Sequence, residues 1–558
     1  MNNEEWKPIA ALTEPYNDAL NYKTKAQKEF FNRLFLRTEE LRKCLAPATY
    51  FLMGEKGTGK TAYAVYLENN SIDEVRSQVT TMTETQYKRF IELKRNGKLT
   101  YSDYANIWRS MLLFLVGRML VMKSKNFLHK ITGKFTRVEQ EIAKWNKNAL
   151  NPEIESAFEA ISSEVFNAKI KAEGVGEAGG ELRAQHTEKN PTIRHHLLET
   201  ENSLKEAISS LTISKGHILF VDGIDYRPES VPYSEYLECI KGLGEAVWQL
   251  NTEFFGSIKD SKGRIKVVLL VRPDVFHALN LYNSNSRLQD NTVFLDWATN
   301  EREYESSKLY EVSGKYFSTQ QPMDVSPHKA WDHYYDEART NGATFKKLLK
   351  TTFQKPRDIL TFVRLTRSLA IKSGDGSETA FAHELRTNPA FTREFSDYLL
   401  GEVRNYAAFY MTQEDFGRYI KFFQYLNGKS RFSMAEFEEA YQRFKNWVKG
   451  EPIKATEYLR DPEALLQFFY DVNVVGYSEA AATDYEVFFH WSYRERSLNN
   501  IAPKVKTTGT LILNPGIAKA LDIGKQMTVK SSGTQQRAPR SRSPRGHGKS
   551  PVRKARKG

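Results

Sequence analysis

The sequence predicts an α/β fold built on a parallel β-sheet. Three runs of apolar, β-prone residues, at 48–53, 217–221 and 266–271, each end at glycine, aspartate or arginine-proline. Runs that are apolar throughout are typical of strands buried on both faces, as in a parallel sheet. A weaker strand signal follows at 293–295. Helical patterns at 23–45, from 61 onward and at 236–255 alternate with these runs, which is the order that α/β folds require.

Length and composition indicate a globular chain with several domains. The 558 residues, 40% hydrophobic and 12% aromatic, allow two to four domains and at least one large core. The two cysteines, Cys44 and Cys239, exclude a disulfide framework or a cysteine-based metal site. The polar N-terminus is unlike a signal peptide. The most apolar run, 111–122, predicts a buried helix, since it is too short to span a bilayer and contains Arg118. We therefore expect a cytoplasmic protein with no membrane role.

The positive charge is concentrated at the C-terminus. The chain has 81 Lys and Arg against 68 Asp and Glu, but nine of these basic residues and no acidic one lie in 531–558. This tail has the charge to bind nucleic acid, yet it lacks the aromatic residues that would stack on bases. Binding of an acidic protein and plain solvation remain open as alternatives.

Composition shifts along the chain predict five segments. These are an N-terminal helical segment (1–45), a core (46–300) with a long, mainly helical insertion at about 100–206, a helical lid (301–380), a mainly α-helical C-terminal domain (381–525) and a disordered basic tail (526–558). Within the insertion, 162–185 predicts a hairpin. Short β-like runs at 468–477, 486–491 and 510–513 follow the C-terminal helices, and a winged-helix unit is one interpretation of them.

The most specific motif is GEKGTGKT at 54–61, which fits the phosphate-binding pattern G-x-x-x-x-G-K-[ST] in full. Glycines let successive backbone N–H groups approach phosphates closely, and the helix that follows presents its N-terminus to the negative charge. The pattern assigns Lys60 to the β- and γ-phosphates and the Thr61 hydroxyl to Mg²⁺. The predicted nucleotide-binding residues are Gly54, Glu55, Lys56, Gly57, Thr58, Gly59, Lys60, Thr61 and Ala62.

Two carboxylates follow the second apolar run, in HILFVDGID. Asp222 stands at the end of the predicted strand and Asp225 three residues later. A carboxylate at the tip of a strand beside a phosphate loop can hold the Mg²⁺ shell. An ordinary turn that ends a strand is the alternative explanation.

Two arginines are further candidates. Arg272 lies just past the third run, where it could sense a γ-phosphate, or it could be a solvated residue at a strand end. Pro356 in KPRDIL fits the first turn of a helix. That turn would aim Arg357 back towards the sheet, and a surface salt bridge is the alternative.

With these motifs the sequence resembles the AAA+/STAND branch of P-loop ATPases, and it looks closest to a bacterial STAND-like group. The resemblance rests on KGTGKTA (56–62), LFVDGID (219–225), LVRPD (270–274) and KPRDIL (355–360), and it covers roughly 15–375 and more loosely extends to 500. It implies a sheet with the phosphate-loop strand at its centre, a helical lid, and ATP binding that drives domain rearrangement or self-association. It also implies that Asp222 is the Walker B acid, Arg272 a sensor-1 arginine and Arg357 a lid arginine.

One departure from the family pattern bears on the rate of hydrolysis. Many relatives place Glu directly after the Walker B acid to orient water, whereas this chain has Gly223, with Asp225 as the nearest substitute. The sequence also lacks the Asn-Lys-x-Asp motif of GTPases. We therefore expect a slowly hydrolysing ATPase that acts as a switch or assembly module through a protein partner or self-association. By resemblance to the family, we expect that such a switch has a role in bacterial phage defence or stress response.

Two other function classes remain open. The chain could be an ATP-dependent nucleic-acid-binding protein of the initiator type, working through a winged helix and the basic tail. A small-molecule kinase is a third interpretation, but the sequence does not locate an acceptor pocket for it.

Overall fold

A computed structural model describes residues 6–82, 87, 91, 103–124, 133–145, 201–258, 264–340, 342–480 and 487–523. The predicted hairpin at 162–185 and the basic tail from 526 lie outside these residues. Described parts of the predicted insertion are helical at 103–124, 136–145 and 201–206.

A five-stranded, all-parallel sheet forms the first half of the fold, which confirms the predicted α/β class. Its strands in chain order are β1 (Phe51–Met53), β2 (Val75–Thr81), β3 (Gly216–Asp222), β4 (Ile265–Val271) and β5 (Thr292–Phe294). Four of them confirm predicted runs. The sequence gives no signal for β2, because VRSQVTT lies at a sheet edge and lacks a continuous apolar run.

The spatial order is β2-β3-β4-β1-β5, so the expectation that β1 occupies the centre of the sheet is wrong. Strand β4 takes the centre, with β3 on one side and β1 on the other. Only β5 lies beyond β1, because the chain leaves the sheet after Phe294 and enters the helical region.

Alternate residues of the central strands feed two separate hydrophobic cores. Leu52, Val268 and Leu270 pack into one core, whereas Phe51 and Leu269 pack into the other. Successive side chains of a strand point to opposite faces, so strands that are apolar throughout require cover on both sides. The core that contains Leu52 extends into the helices of the C-terminal half.

Helices cover both faces of the parallel sheet and form most of the rest of the described chain. Besides the helical residues 201–209, the α-helices up to residue 300 are Lys25–Leu34, Glu39–Leu45, Lys60–Asn69, Asp103–Ser124, Thr136–Trp145, Tyr233–Gln249, Pro273–Leu279 and Ser284–Asn291. Those after residue 300 are Lys308–Ser318, Pro327–Tyr335, Glu337–Thr340, Ala343–Thr351, Pro356–Ser373, His383–Thr387, Pro389–Ala407, Gln413–Ile420, Met434–Val448, Pro462–Asp471 and Ser492–Glu495.

The apolar run at 111–122 lies in the helix Asp103–Ser124, as predicted. In the described part of the chain, one stretch, Tyr104–Lys123, is long and apolar enough to cross a membrane, and 67% of its apolar window is buried inside the protein. That burial agrees with the predicted buried helix.

A second sheet lies in the C-terminal half. It is antiparallel, with strands β6 (Arg431–Phe432), β7 (Val475–Ala480), β8 (Val487–His490) and β9 (Thr510–Leu513) in the order β6-β9-β7-β8. The prediction of a β run over 468–477 is wrong in its first half, which ends the helix Pro462–Asp471. Asp461 caps that helix by accepting from the backbone N–H of Ala464, and Pro462 fits its first turn.

Candidate functional site

The loop at 54–61 joins β1 to the helix Lys60–Asn69 at the carboxyl edge of the parallel sheet. The backbone N–H of Gly54 donates to the Val271 carbonyl at 3.3 Å, which ties the loop to β4. Gly59 caps the helix with a φ of 95°, a conformation that glycine adopts at little cost. The Trp297 indole donates to the Thr58 carbonyl at 2.9 Å. The loop is therefore held from the sheet and from the segment after β5.

Lys60 lies inside the curve of this loop. Its ammonium group donates to the carbonyls of Gly54 at 2.9 Å and Glu55 at 3.2 Å, and only 8% of the residue is exposed. Burial lowers the pKa of Lys60. A buried ammonium that bonds only to carbonyl oxygens is poised to gain from a nearby anion.

Thr61 and Asp222 meet across the sheet edge. The Thr61 hydroxyl donates to Asp222 Oδ2 at 2.5 Å, and the backbone N–H of Gly223 donates to Asp222 Oδ1 at 2.7 Å. Burial and the nearby charge of Asp225 raise the pKa of Asp222. A hydroxyl and a carboxylate form the hard oxygen pair that Mg²⁺ accepts, so these residues fit the predicted metal.

Gly223 explains the missing glutamate. It has a φ of 89°, and a Cβ atom there would lie 2.5 Å from the Met82 carbonyl oxygen. A side chain at this position would require the backbone to move, because a carbonyl oxygen cannot yield as a flexible side chain can. The end of β3 therefore has no room for the glutamate that many P-loop ATPases carry.

Asp225 lies in the same cavity as Lys60 and Asp222. Burial by itself would raise the pKa of Asp225, but the positive charges of Lys60, Arg272 and Lys56 hold it below its usual value. The Asp225 side chain is therefore an ionised carboxylate at neutral pH.

Arg357 reaches the phosphate loop from the helix Pro356–Ser373, which begins at Pro356 as predicted. Its backbone N–H faces the Gly57 carbonyl at 3.5 Å, and its side chain lines the cavity. One terminal nitrogen lies 3.4 Å from Glu402, whereas the buried Nε has no hydrogen-bond partner among the described residues. Arg357 therefore keeps an unused donor beside the loop.

Arg272 is placed differently. It is fully buried and forms a two-pronged ion pair with Asp274, at 3.0 Å and 2.5 Å. Its guanidinium also stacks on the Tyr406 ring, 3.7 Å from the ring centre, and donates to the Tyr406 carbonyl at 3.3 Å. Arg272 is not part of the cavity lining. The structure therefore gives it a packing role behind the site, and its role as a γ-phosphate sensor stays a prediction.

The cavity has a volume of about 290 Å³, at the lower end of small-molecule sites, and its lining is of two kinds. The polar lining comes from the predicted residues Lys56 to Ala62, together with Asp222, Asp225 and Arg357. The apolar lining includes Tyr16, Leu20, Phe35, Leu36, Val312 and Leu360.

Sequence reasoning assigned none of this apolar lining to the site. Leu360 ends the KPRDIL motif, but the other residues come from the N-terminal segment and the helix Lys308–Ser318, and they belong to no motif. Gly54 and Glu55, by contrast, were predicted to contact a nucleotide but do not line the cavity. The Glu55 carboxylate instead pairs with Arg496, with 2.6 Å between Glu55 Oε1 and a terminal nitrogen of the arginine.

The fold and site together define an α/β protein with a charged cavity at the carboxyl edge of a parallel sheet. Among the described residues, no group of three or more His, Cys, Asp or Glu side chains could hold a metal ion. A metal at Thr61 and Asp222 would therefore need further ligands from water or from a bound molecule. No family model matches this chain, and no curated protein matches it.

Proposed function

We propose that the protein binds ATP with Mg²⁺ in this cavity and hydrolyses it slowly, as a nucleotide-dependent switch of the P-loop ATPase class. The observation that carries the proposal is that one cavity is lined both by polar and charged residues, among them Lys60, Thr61 and Asp222, and by apolar residues such as Phe35 and Leu36. A triphosphate suits the first group, and a purine base suits the second.

The charge balance of the cavity favours a metal-bound nucleotide. Its lining contains three cations, Lys56, Lys60 and Arg357, against three carboxylates, Asp18, Asp222 and Asp225. A bare polyanion would gain little net attraction there, so a divalent cation is needed to offset the carboxylates. Thr61 and Asp222 would hold this Mg²⁺. When bound, the metal would neutralise charge on the phosphate oxygens.

The chain's own residues then have separable tasks. Two helix N-termini, at Lys60 and Pro356, point positive dipole ends at the anion. Lys60 exchanges its bonds to loop carbonyls for bonds to phosphate, and the unused Nε of Arg357 donates to the same anion. Asp225, an ionised carboxylate, is the group available to orient water.

Slow hydrolysis follows from the chemistry of that last residue. Neighbouring cations depress the pKa of Asp225, which makes it a weak base, and Gly223 leaves no room for a glutamate. The state with ATP bound would therefore persist. A long-lived state suits a switch whose output is a protein partner or self-association. By resemblance, that switch belongs with the AAA+/STAND ATPases, with a role in phage defence or stress response.

The initiator-type alternative receives less support from the C-terminal half. In a winged helix, the helix before the β-hairpin would read DNA, and Pro462–Asp471 holds that position before β7 and β8. It carries Glu463 and Asp471 but no Lys or Arg. Five of its ten residues are buried. Nucleic-acid binding through the basic tail stays a separate prediction.

The test is ATP binding by a Lys60→Ala variant of the full chain. We expect calorimetric titration with ATP and Mg²⁺ to show binding by the wild type and none by Lys60→Ala, with an unchanged circular dichroism spectrum. Lys43→Ala, which removes an exposed lysine, serves as the control. Unaltered ATP affinity in Lys60→Ala would overturn the proposal. Turnover and solution mass, measured with and without ATP and nucleic acid, then identify the output.

A further inference from the structure

Glu55 places a negative charge in a loop whose task is to bind an anion. Its carboxylate is nearly fully buried, with 5% of the side chain exposed. Burying a carboxylate is costly unless a cation and hydrogen-bond donors compensate it. The backbone carbonyl of Glu55 already contacts Lys60, so this charge lies within one residue of the ammonium that is proposed to bind phosphate.

The compensating cation comes from 441 residues further along the chain. Arg496 donates from one terminal nitrogen to Glu55 Oε1 at 2.6 Å and to the Tyr406 hydroxyl at 2.6 Å. Its other terminal nitrogen donates to the Asp471 carbonyl at 3.1 Å. The second cation near Glu55, Lys355, is 4.0 Å from Oε2. Arg496 is thus the direct partner of the Glu55 carboxylate.

The residues before Arg496 also dock on the sheet and lid. Arg494 donates to the Thr299 carbonyl at 3.1 Å, and the Tyr493 hydroxyl donates to the Thr352 carbonyl at 3.4 Å. Three side chains of one short segment, 493–496, therefore contact the region around the phosphate loop. The position of the C-terminal half is tied to the loop through this segment.

The ion pair is incompletely satisfied. Glu55 Oε2 and Arg496 Nε are buried, and neither has a hydrogen-bond partner within the described part of the chain. Buried pairs of this kind contribute little net stability, but removing one partner leaves the other as an uncompensated charge. The pair is therefore better suited to controlling where the Glu55 charge points than to stabilising the fold.

We propose that Arg496 is a positioning residue for nucleotide binding, which keeps the Glu55 carboxylate turned away from the phosphate cradle. This inference rests on the proposed function. Without Arg496, the nearest cations to Glu55 are those of the loop and lid, Lys60 and Lys355, and the carboxylate competes there with phosphate. Because coupling is reciprocal, bound nucleotide in turn favours the docked position of segment 493–496. A partner that pulls this segment away would release nucleotide.

A double-mutant cycle tests the proposal. ATP with Mg²⁺ is titrated into the full-length wild type, Arg496→Gln, Glu55→Gln and the double variant. We expect Arg496→Gln to bind about tenfold more weakly, because it frees a buried charge. In the double variant there is no carboxylate to compete, so affinity should return close to the wild-type value. If the role of Arg496 is purely structural, Arg496→Gln will lower ATP affinity by the same factor whether position 55 is Glu or Gln. That result overturns the proposal.

Controls separate the possible failures. Arg287 is as buried as Arg496, with 2% of each side chain exposed, and it pairs with Glu245 at 3.1 Å away from the cavity. Arg287→Gln should therefore leave ATP affinity unchanged. If Arg496→Gln does not fold, Arg496→Lys takes its place in the test. An ATP affinity of Arg496→Lys close to that of the wild type supports the proposal, and a tenfold loss of ATP affinity overturns it. A wild type that binds no ATP overturns the proposed function and this inference together. If the wild type binds ATP and Arg496→Gln binds it equally well, only the inference about Arg496 is overturned.

Discussion

The hydroxyl of Thr61 donates to the carboxylate of Asp222 over 2.5 Å, although the two residues are 161 positions apart. The contact joins the first turn of the helix Lys60–Asn69 to the end of β3. It arises because parallel strands end at the same edge of a sheet, with β4 between β1 and β3. This pair is the element of the site on which the proposed metal-dependent binding rests.

Replacing Asp222 by Asn should weaken ATP binding only when Mg²⁺ is present. The amide keeps the size of the side chain but removes the charge that would hold the metal shell. We expect a loss of at least about tenfold, because even the removal of a group outside the direct ligands of a metal typically costs that much. Calorimetric titrations with Mg²⁺ and with EDTA check this. An equal loss in both conditions would mean that Asp222 acts on the fold rather than on the metal.

Arg357→Ala should weaken ATP binding by about tenfold, since it removes charged hydrogen-bond donors next to the loop. The matched control is Arg364→Ala on the same helix. Arg364 is similarly exposed, at 31% against 27%, but lies outside the cavity and pairs loosely with Glu14 at 3.9 Å. Both variants should melt at similar temperatures. Equal affinities for ATP in the two variants would show that Arg357 does not contribute to ATP binding.

Asp225→Asn should separate hydrolysis from binding. Loss of the carboxylate removes the group that we propose to orient water, and we expect turnover to fall about a hundredfold. ATP affinity should stay the same or increase, because a negative charge leaves the cavity. Phosphate release under saturating ATP, together with a binding titration, measures both effects. Turnover at the wild-type rate would show that another group orients the water.

Lys266 should make the stability depend on pH. It donates to the Cys44 and Ala46 carbonyls at 2.7 Å and 2.6 Å, yet burial lowers the pKa of Lys266 from 10.5 to about 7. Between these values the unfolded chain binds a proton that the folded chain lacks. The free energy of unfolding should therefore rise with pH across this window, by up to about 1.4 kcal/mol per pH unit.

Urea unfolding at pH 7, 8 and 9 checks this prediction by comparing the wild type with Lys266→Met. The difference between the two proteins should shift steadily in favour of the wild type as the pH rises. Lys43→Met, which replaces an exposed lysine, is the control. Its free energy of unfolding should change with pH in the same way as that of the wild type. If the free energy of unfolding of Lys266→Met also changes with pH in parallel with that of the wild type, Lys266 keeps its proton in the folded protein.

Local patterns predicted the elements but not all of their contacts. The apolar runs gave β1, β3, β4 and β5, since burial on both faces leaves a signal in the residues themselves. The edge strand β2 leaves no such signal. The helix Pro462–Asp471 was missed at its end because aromatic residues such as Phe468 and Phe469 are typical of strands, whereas here they are buried on a helix.

The sequence by itself determined the α/β class, the strand, glycine loop and helix around Lys60, and the carboxylate at the end of β3. Each of these depends on the conformational limits of a few adjacent residues. Only the tertiary structure decided that Arg357 faces the loop, that Arg272 packs against Asp274 and Tyr406, and that Arg496 holds Glu55. Those contacts depend on how distant segments pack together, and packing between distant segments leaves no periodic trace in a single sequence.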